Sequence, residues 1–343
     1  MKPPALDITT LNFDTCERLR LVHALLRDFG LEPATATILD VGGYPGYMAQ
    51  AYPDWRITTV DIFPKGHPPY VQALGSALPF ADSSFDVVMA CDVLEHVPPQ
   101  YRDAFLAELT RVARRLVVLP GPYDTAGVAY AEMAVRRLLP ASSPAQAWLA
   151  EHAENGLPNV EKTVEGLLHG SLVATAFPVG SLTAWLLLFA AQAAGEQNHR
   201  VQSAVQDFVR VHNEQGAAGG SAPAAGAAYR HTVVAIQDAA LVDRLQRIRP
   251  ADVARETHGE PGALHRYIDA LVALLEQILI KLDTTAGPGA TDAMALEYVA
   301  RLETMLAARG VAPPSSSPQA APADAAERTF ARRLRDAWGA FRG

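Results

Sequence analysis

The run Ile38-Leu39-Asp40-Val41-Gly42-Gly43-Tyr44-Pro45-Gly46 constrains this chain more than any other stretch. An apolar strand runs into a carboxylate, and glycines then permit torsions and close approaches that a side chain forbids. A helix opening after such a bend presents free N–H groups. Several nucleotide-binding folds share a glycine-rich loop, so its surroundings decide its meaning. Asp61 closes the next strand, Arg56 to Val60, at the roughly 20-residue spacing from which a carboxylate can accept hydrogen bonds from ribose hydroxyls.

Around this loop, short apolar runs alternate with helical periodicity. Asn12 to Phe29 is predicted as an amphipathic helix ended by Gly30, and Thr37 to Val41 as a buried strand. Further strands are expected at Ser84–Ala90 and Arg115–Leu119, with a helix over Pro98–Ala113 between them. Strands alternating with helices imply a parallel sheet covered on both faces, a doubly wound α/β core. Beyond Pro120 the chain reads as helical to Ala150, then turns at Asn155-Gly156-Leu157-Pro158, with Asn159 capping a helix. Leu172–Val179 and Thr232–Ile236 read as a sixth and a seventh strand. A helical insertion is expected at about 182–213 and a flexible Ala/Gly/Ser/Pro loop at about 214–226, which closes a first domain over 1–240. Residues 241–310 carry a near-heptad apolar stripe, 311–325 a Pro/Ser/Ala linker expected to be disordered, and 326–343 a basic amphipathic helix.

Composition narrows the function classes. With 49% hydrophobic residues there is material for a real core, and the net charge of −8 argues against a general nucleic-acid binder. Cys16 and Cys91 are far apart and lack metal-ligand spacing, so neither a disulfide framework nor a metal site is expected, and a reducing cytosol suits this usage. The opening residues show no signal-peptide pattern. The most apolar run, Ala184 to Ala194, is about half of the roughly 20 residues a bilayer requires, and reads as a buried helix.

Two more segments extend the motif: Gly75-Ser76-Ala77-Leu78-Pro79-Phe80 with the strand after it, and Asp92-Val93-Leu94-Glu95-His96-Val97-Pro98. From about Leu39 to Leu119 the chain resembles the class I S-adenosylmethionine-dependent methyltransferases. That resemblance implies a Rossmann-like seven-stranded sheet and S-adenosyl-L-methionine as cofactor. It implies that Asp40, Gly42, Gly43 and Gly46 cradle the methionine part, that Asp61 holds the ribose, that Ile62 is also a cofactor contact, and that Ser76, Ala77 and Leu78 flank the adenine. Cys91 and Asp92 would fall near the methyl-bearing sulfur. Two positions depart from the family pattern: Tyr44 replaces a usual glycine, and Ser76 stands where an acidic residue is common.

Methyl transfer to a hydroxyl requires alignment, exclusion of water and a base. Asp92, Glu95, His96 and His152 are the candidates, each with a second reading. Asp92 could instead hold the cofactor amine, and His96 could be a packing or capping residue. His152, next to Glu151 and ahead of the Gly156-Leu157-Pro158 turn, could be oriented over the acceptor or sit on a polar helix surface. Cys91 reads as a packing residue in preference to a nucleophile. Tyr123 and Asp124, leaving the fifth strand, are candidate acceptor contacts. Arg230 is either a cation for an anionic acceptor or an ordinary surface arginine.

Trp148–Leu168, Phe177–Phe189 and Tyr229-Arg230 further resemble a bacterial group of methyltransferases associated with cell-surface polysaccharide synthesis. This implies a small-molecule or glycan acceptor, methylated at a sugar hydroxyl or a glycan-linked group, at the cytoplasmic side of the membrane. Phe330, Leu334, Trp338 and Phe341 opposite the arginines of the last helix fit peripheral membrane contact, and equally a docking helix. The stripe over Leu264–Leu282 fits a homodimer or an intramolecular helix pair. Another small metabolite as acceptor, a lipid or quinone head group, remains an alternative, as does a non-catalytic scaffold.

Overall fold

The computed structural model describes residues 4–63, 67–125, 127–136, 139, 141–197, 199–216, 228–245 and 248. All lie in a compact unit, Met1–Gln277; a second unit, Ile278–Gly343, falls outside the described residues. The expected heptad stripe, Pro/Ser/Ala linker and basic terminal helix, and with them the dimer and membrane contacts, also lie outside the described residues.

Seven strands form one sheet: β1 (Thr37–Val41), β2 (Arg56–Asp61), β3 (Tyr70–Gln72), β4 (Phe85–Met89), β5 (Ala113–Pro122), β6 (Val173–Val179) and β7 (Arg230–Ile236). Their order is β3-β2-β1-β4-β5-β7-β6. The first five are parallel, and β7 runs antiparallel to both of its neighbours. The sheet is therefore mixed, and the parallel expectation holds only up to β5. The three-residue β3 is too short to leave a periodic signal in the sequence.

Alternation along each strand explains the unbroken apolar runs. Ile38, Val87, Met89, Leu116, Val118, Val234 and Ile236 point into one core layer; Leu39, Val41, Val88, Val117, Leu119, Val233 and Ala235 point into the other. A sheet buried on both faces needs apolar residues at odd and even positions alike.

Helix α1 (Phe13–Asp28) seals the first layer with Leu19, Val22, Leu25 and Leu26; the Asn12 side chain caps its start by accepting from the Thr15 N–H (2.7 Å). Helices α3 (Pro99–Val112) and α6 (Val160–Leu168) cover the second layer through Phe105, Leu106, Leu109 and Leu167. Between β1 and β2 lies the short α2 (Tyr47–Ala51). Helices α4 (Val128–Arg136) and α5 (Pro144–Asn155) follow β5. The pair α7 (Leu182–Gln197) and α8 (His199–Gly216) packs together between β6 and β7, and α9 (Ala239–Leu245) follows β7.

The apolar run is a buried helix on one side: Trp185 and Leu188 are covered and Leu187 is exposed. Among the described residues no helix is long and apolar enough to cross a membrane.

Candidate functional site

Ligands of open α/β sheets lie outside the C-terminal edge of the parallel strands. At the β1 end of that edge, the Gly42 N–H donates to the Val60 carbonyl (2.7 Å) and ties the loop to β2. Gly42 sits at φ +74°, a region costly for any other residue, and a Cβ on Gly43 would collide with the Asp40 carboxylate. The loop folds back so that the Tyr44 N–H donates to Asp61 Oδ2 (3.0 Å), while the Phe63 N–H approaches Oδ1 (3.3 Å). Asp61 thus faces the loop. The Tyr44 ring is 49% exposed and rests on Phe63, with ring centroids 4.7 Å apart, so it is not packed into the loop.

Gly46 leads into α2, whose five residues are too few to make much of a helix terminus. The backbone donors come from the loop itself. Asp40 is buried, which pushes its carboxyl up to about 7; Arg18 opposes the rise and Asp61 adds to it. A cation set beside Asp40 would favour its ionised form.

Exposed apolar surface from Ile62, Phe63 and Leu74 surrounds the ends of β2 and β3. Ser76 is half-buried and Ala77 exposed. Leu78 differs: its side chain is in the second core layer and its N–H donates to Glu108 Oε2 (2.7 Å), so it anchors the segment instead of lining a pocket.

Beyond β4 lies a buried charge cluster. Asp92 accepts from Arg230 Nε (3.0 Å) and Nη2 (2.8 Å), and from Arg18 Nη1 (2.9 Å); Asp14 meets Arg230 Nη2 at 2.6 Å. Burial alone would raise the Asp92 carboxyl, but Arg230 and Arg18 outweigh it and hold it well below the usual carboxylate range. Asp92 is therefore corrected from candidate base to permanent anion. Arg230 is 6% exposed, its guanidinium lies 4.9 Å from the centroid of the Tyr229 ring, and Tyr229 stacks on Trp185 at 3.9 Å. It is not a surface arginine, and its charge is taken by Asp92 and Asp14. Because β7 runs antiparallel, with Arg230 in register with Pro122, its first residue reaches the edge where β4 and β5 end.

The histidines form a second constellation. His96 Nδ1 lies 2.7 Å from Glu151 Oε2, and His152 Nδ1 lies 3.1 Å from Glu132 Oε2. Their Nε2 atoms approach to 3.3 Å, and the Tyr229 hydroxyl donates to Glu132 Oε1 (3.0 Å). His152 is 6% exposed, which overturns its surface reading. Adjacent helical residues do not share a face, so Glu151 serves His96 across the gap and not its neighbour His152.

His96 and Glu95 lie in the turn before α3, which begins at Pro99 after Pro98, so His96 does not cap that helix. The Asn155 side-chain amide donates to the carbonyls of Glu95 (3.3 Å) and His96 (3.1 Å), and Arg102 Nε to that of Val97 (3.0 Å). The two Asn155 bonds clamp the end of α5 onto the turn. Glu95 is 1% exposed, its Oε1 has no hydrogen-bond partner, and burial followed by the Asp92 charge pushes its carboxyl well up.

Three other expectations need correction or placement. Tyr123 is 1% exposed within the second core layer, so it is a packing residue and not an acceptor contact. Asp124 is exposed, with its N–H bonded to the Pro158 carbonyl (2.9 Å). Cys91 packs against the first layer, and burial pushes its thiol well up, which disfavours a thiolate.

Sequence reasoning missed Asp14, Arg18 and Glu132. The first two carry opposite charges four apart on α1, and Glu132 sits among the buried Val128, Ala131 and Val135 of α4. A carboxylate interrupting an apolar helix face was the available signal.

Residues 39–118 match the family described as a methyltransferase domain. A Mycobacterium tuberculosis protein named an uncharacterized methyltransferase is 38% identical over 102 residues, covering 25% of this chain and 39% of its own length. One of the same name from Mycobacterium sp. strain JLS is 39% identical over 93 residues, covering 24% and 36%. The chain thus spans about two fifths of the length of the curated relatives it matches. Among solved structures, phosphoethanolamine N-methyltransferase 2 of Haemonchus contortus, in complex with S-adenosyl-L-methionine, is similar at a TM-score of 0.41 and 15% identity over 64% of this chain and 52% of that one. The segment shared with the methyltransferase domain family is the one that carries Asp40, the glycine loop, Asp61, Asp92, Glu95 and His96.

Proposed function

We propose that this chain is an S-adenosylmethionine-dependent methyltransferase acting on a hydroxyl oxygen, with a sugar hydroxyl of a glycan as the acceptor. The observation that carries the methyltransferase reading is the placement of Asp61 against the glycine loop, inside the segment that matches the methyltransferase domain family. The donor set fits the cofactor. Asp40 is a buried carboxyl that a cationic amine would ionise, Asp61 faces the loop with acceptor oxygens for a ribose diol, and apolar Ile62 and Leu74 stand beside it for a purine.

Bound S-adenosylmethionine supplies a sulfonium-activated methyl carbon, which an acceptor oxygen lone pair takes while the S–C electron pair stays on sulfur. The acceptor hydroxyl must give up its proton. Glu151 and Glu132 hold protons on the Nδ1 atoms of His96 and His152, which leaves Nε2 as the basic atom on each ring. Asp92 holds Arg230 and Arg18 in place and moves no proton. The glycan assignment rests on the resemblance of Trp148–Leu168, Phe177–Phe189 and Tyr229-Arg230, and the same resemblance implies a reaction at the cytoplasmic side of the membrane.

Calorimetry with S-adenosylmethionine and S-adenosylhomocysteine tests the cofactor reading. Asp61→Ala should weaken binding about 10- to 100-fold, the scale of losing hydrogen bonds to a charged group. Equal binding by the variant would sink this reading. Transfer of a labelled methyl group into cell-envelope glycan extracts tests the acceptor class, and label appearing only in small lipids would remove the glycan.

A further inference from the structure

We infer that Glu95, His96 and His152 form a binding site for a divalent transition-metal ion of the zinc, cobalt or iron(II) kind, with Glu151 and Glu132 as its outer carboxylates. Each Nδ1 faces a carboxylate, which draws the ring proton to that nitrogen and leaves a lone pair on Nε2. Two lone pairs 3.3 Å apart repel unless a cation lies between or beside them. Two imidazole nitrogens bound to one tetrahedral ion, each at roughly 2.0–2.1 Å, lie about 3.3–3.4 Å apart. The rings already have that separation.

The third group supplies charge. Glu95, His96 and His152 each offer one ligand atom, all within 4.8 Å of one another, and Glu95 Oε1 is buried with no hydrogen-bond partner. A buried orphan acceptor beside two converging imidazole lone pairs is a donor set short of a cation. Two histidines and one carboxylate, with further positions open, serve zinc and non-haem iron(II) sites alike. Carboxylates on the far nitrogens of ligating histidines orient the rings and raise their basicity. Here both are present and come from different helices, Glu132 from α4 and Glu151 from α5.

The consequence for methyl transfer rests on the methyltransferase reading. An ion with an open position would take the acceptor hydroxyl as a ligand and acidify it, so the acceptor atom it selects is oxygen. With the ion bound, both Nε2 atoms are ligands, and the hydroxyl proton passes to solvent water instead of to imidazole.

The test uses the full chain, free of any affinity tag and stripped of metal, titrated with Co²⁺ and followed by visible absorption and elemental analysis. One Co²⁺ per chain with ligand-field bands is expected. His96→Ala and His152→Ala should abolish stoichiometric uptake, and the isosteric Glu132→Gln should weaken it about 10- to 100-fold. S-adenosylhomocysteine affinity, measured on each variant, reports that the fold is intact. No Co²⁺ uptake by the wild-type chain, or equal uptake by a histidine variant, overturns the metal site; the histidines then share a proton. Loss of Co²⁺ uptake with S-adenosylhomocysteine binding intact spares the methyltransferase reading, and uptake without that binding spares only the metal site.

Discussion

The two halves of the candidate site are built in opposite ways. The donor half, Asp40 to Asp61, comes from one strand, one loop and the next strand, adjacent in sequence and in the sheet. The acceptor half gathers Asp14 and Arg18 from α1, Asp92 to His96 from the turn after β4, Glu132 from α4, His152 from α5 and Arg230 from β7. A local site is held by backbone geometry, whereas a dispersed one is held by side-chain charge and by the packing that brings its elements together. The first should therefore fail through sterics and the second through loss of ion pairs.

The largest contrast should come from Arg230. Arg230→Met leaves Asp92 and Asp14 with a buried charge uncompensated, and breaking such a pair costs about 3–5 kcal/mol. Urea denaturation checks this, and a loss below about 1 kcal/mol would show that the cluster does not hold the acceptor half together.

Gly43→Ala comes next. The added Cβ meets the Asp40 carboxylate, and overpacking of this kind costs about 1–3 kcal/mol, which should appear in cofactor affinity ahead of global stability. A variant that unfolds without losing affinity would contradict the local character of the donor half.

A pH series isolates Asp40. Its carboxyl ionises at an ordinary value of 3.8 when unfolded and at about 7 when folded. Between those values the folded state holds the extra proton, so this group's contribution to stability is full below the lower value and lost as pH rises through about 7. A cationic cofactor amine needs the ionised form, so affinity should rise about tenfold from pH 6 to pH 8. Asp40→Asn should flatten that rise; a persisting slope would place the titrating group elsewhere.

Tyr44→Ala should matter least. Its ring lies on exposed surface, and a change within about 0.5 kcal/mol, two- to threefold in affinity, is expected. A tenfold loss would mean that the ring covers the ligand.

The same contrast explains what could be read from the chain. β1, β2, β4, α1 and α3 were legible because their apolar periods are local, and the Asn159 cap was visible as a residue type. The glycine loop and Asp61 were legible because a strand–loop–strand unit carries its partners with it. The reversed direction of β7 was not, because pairing partners leave no mark on period-two alternation. Tyr123 misled for a related reason: leaving a strand at the functional edge does not decide whether a ring points into the core or out of it.

His152 was visible as a candidate next to Glu151, but helical geometry separates the two, sending Glu151 to His96 and pairing His152 with Glu132. Arg230 and Asp92 were both named, yet their mutual bond depended on an antiparallel strand arriving from far along the chain. The sequence by itself determined the α/β core and the glycine-lined bend after its first strand, because torsional freedom and apolar period are properties of neighbouring residues. Only the tertiary structure decided which carboxylate meets which base, because charge pairing follows distance in space.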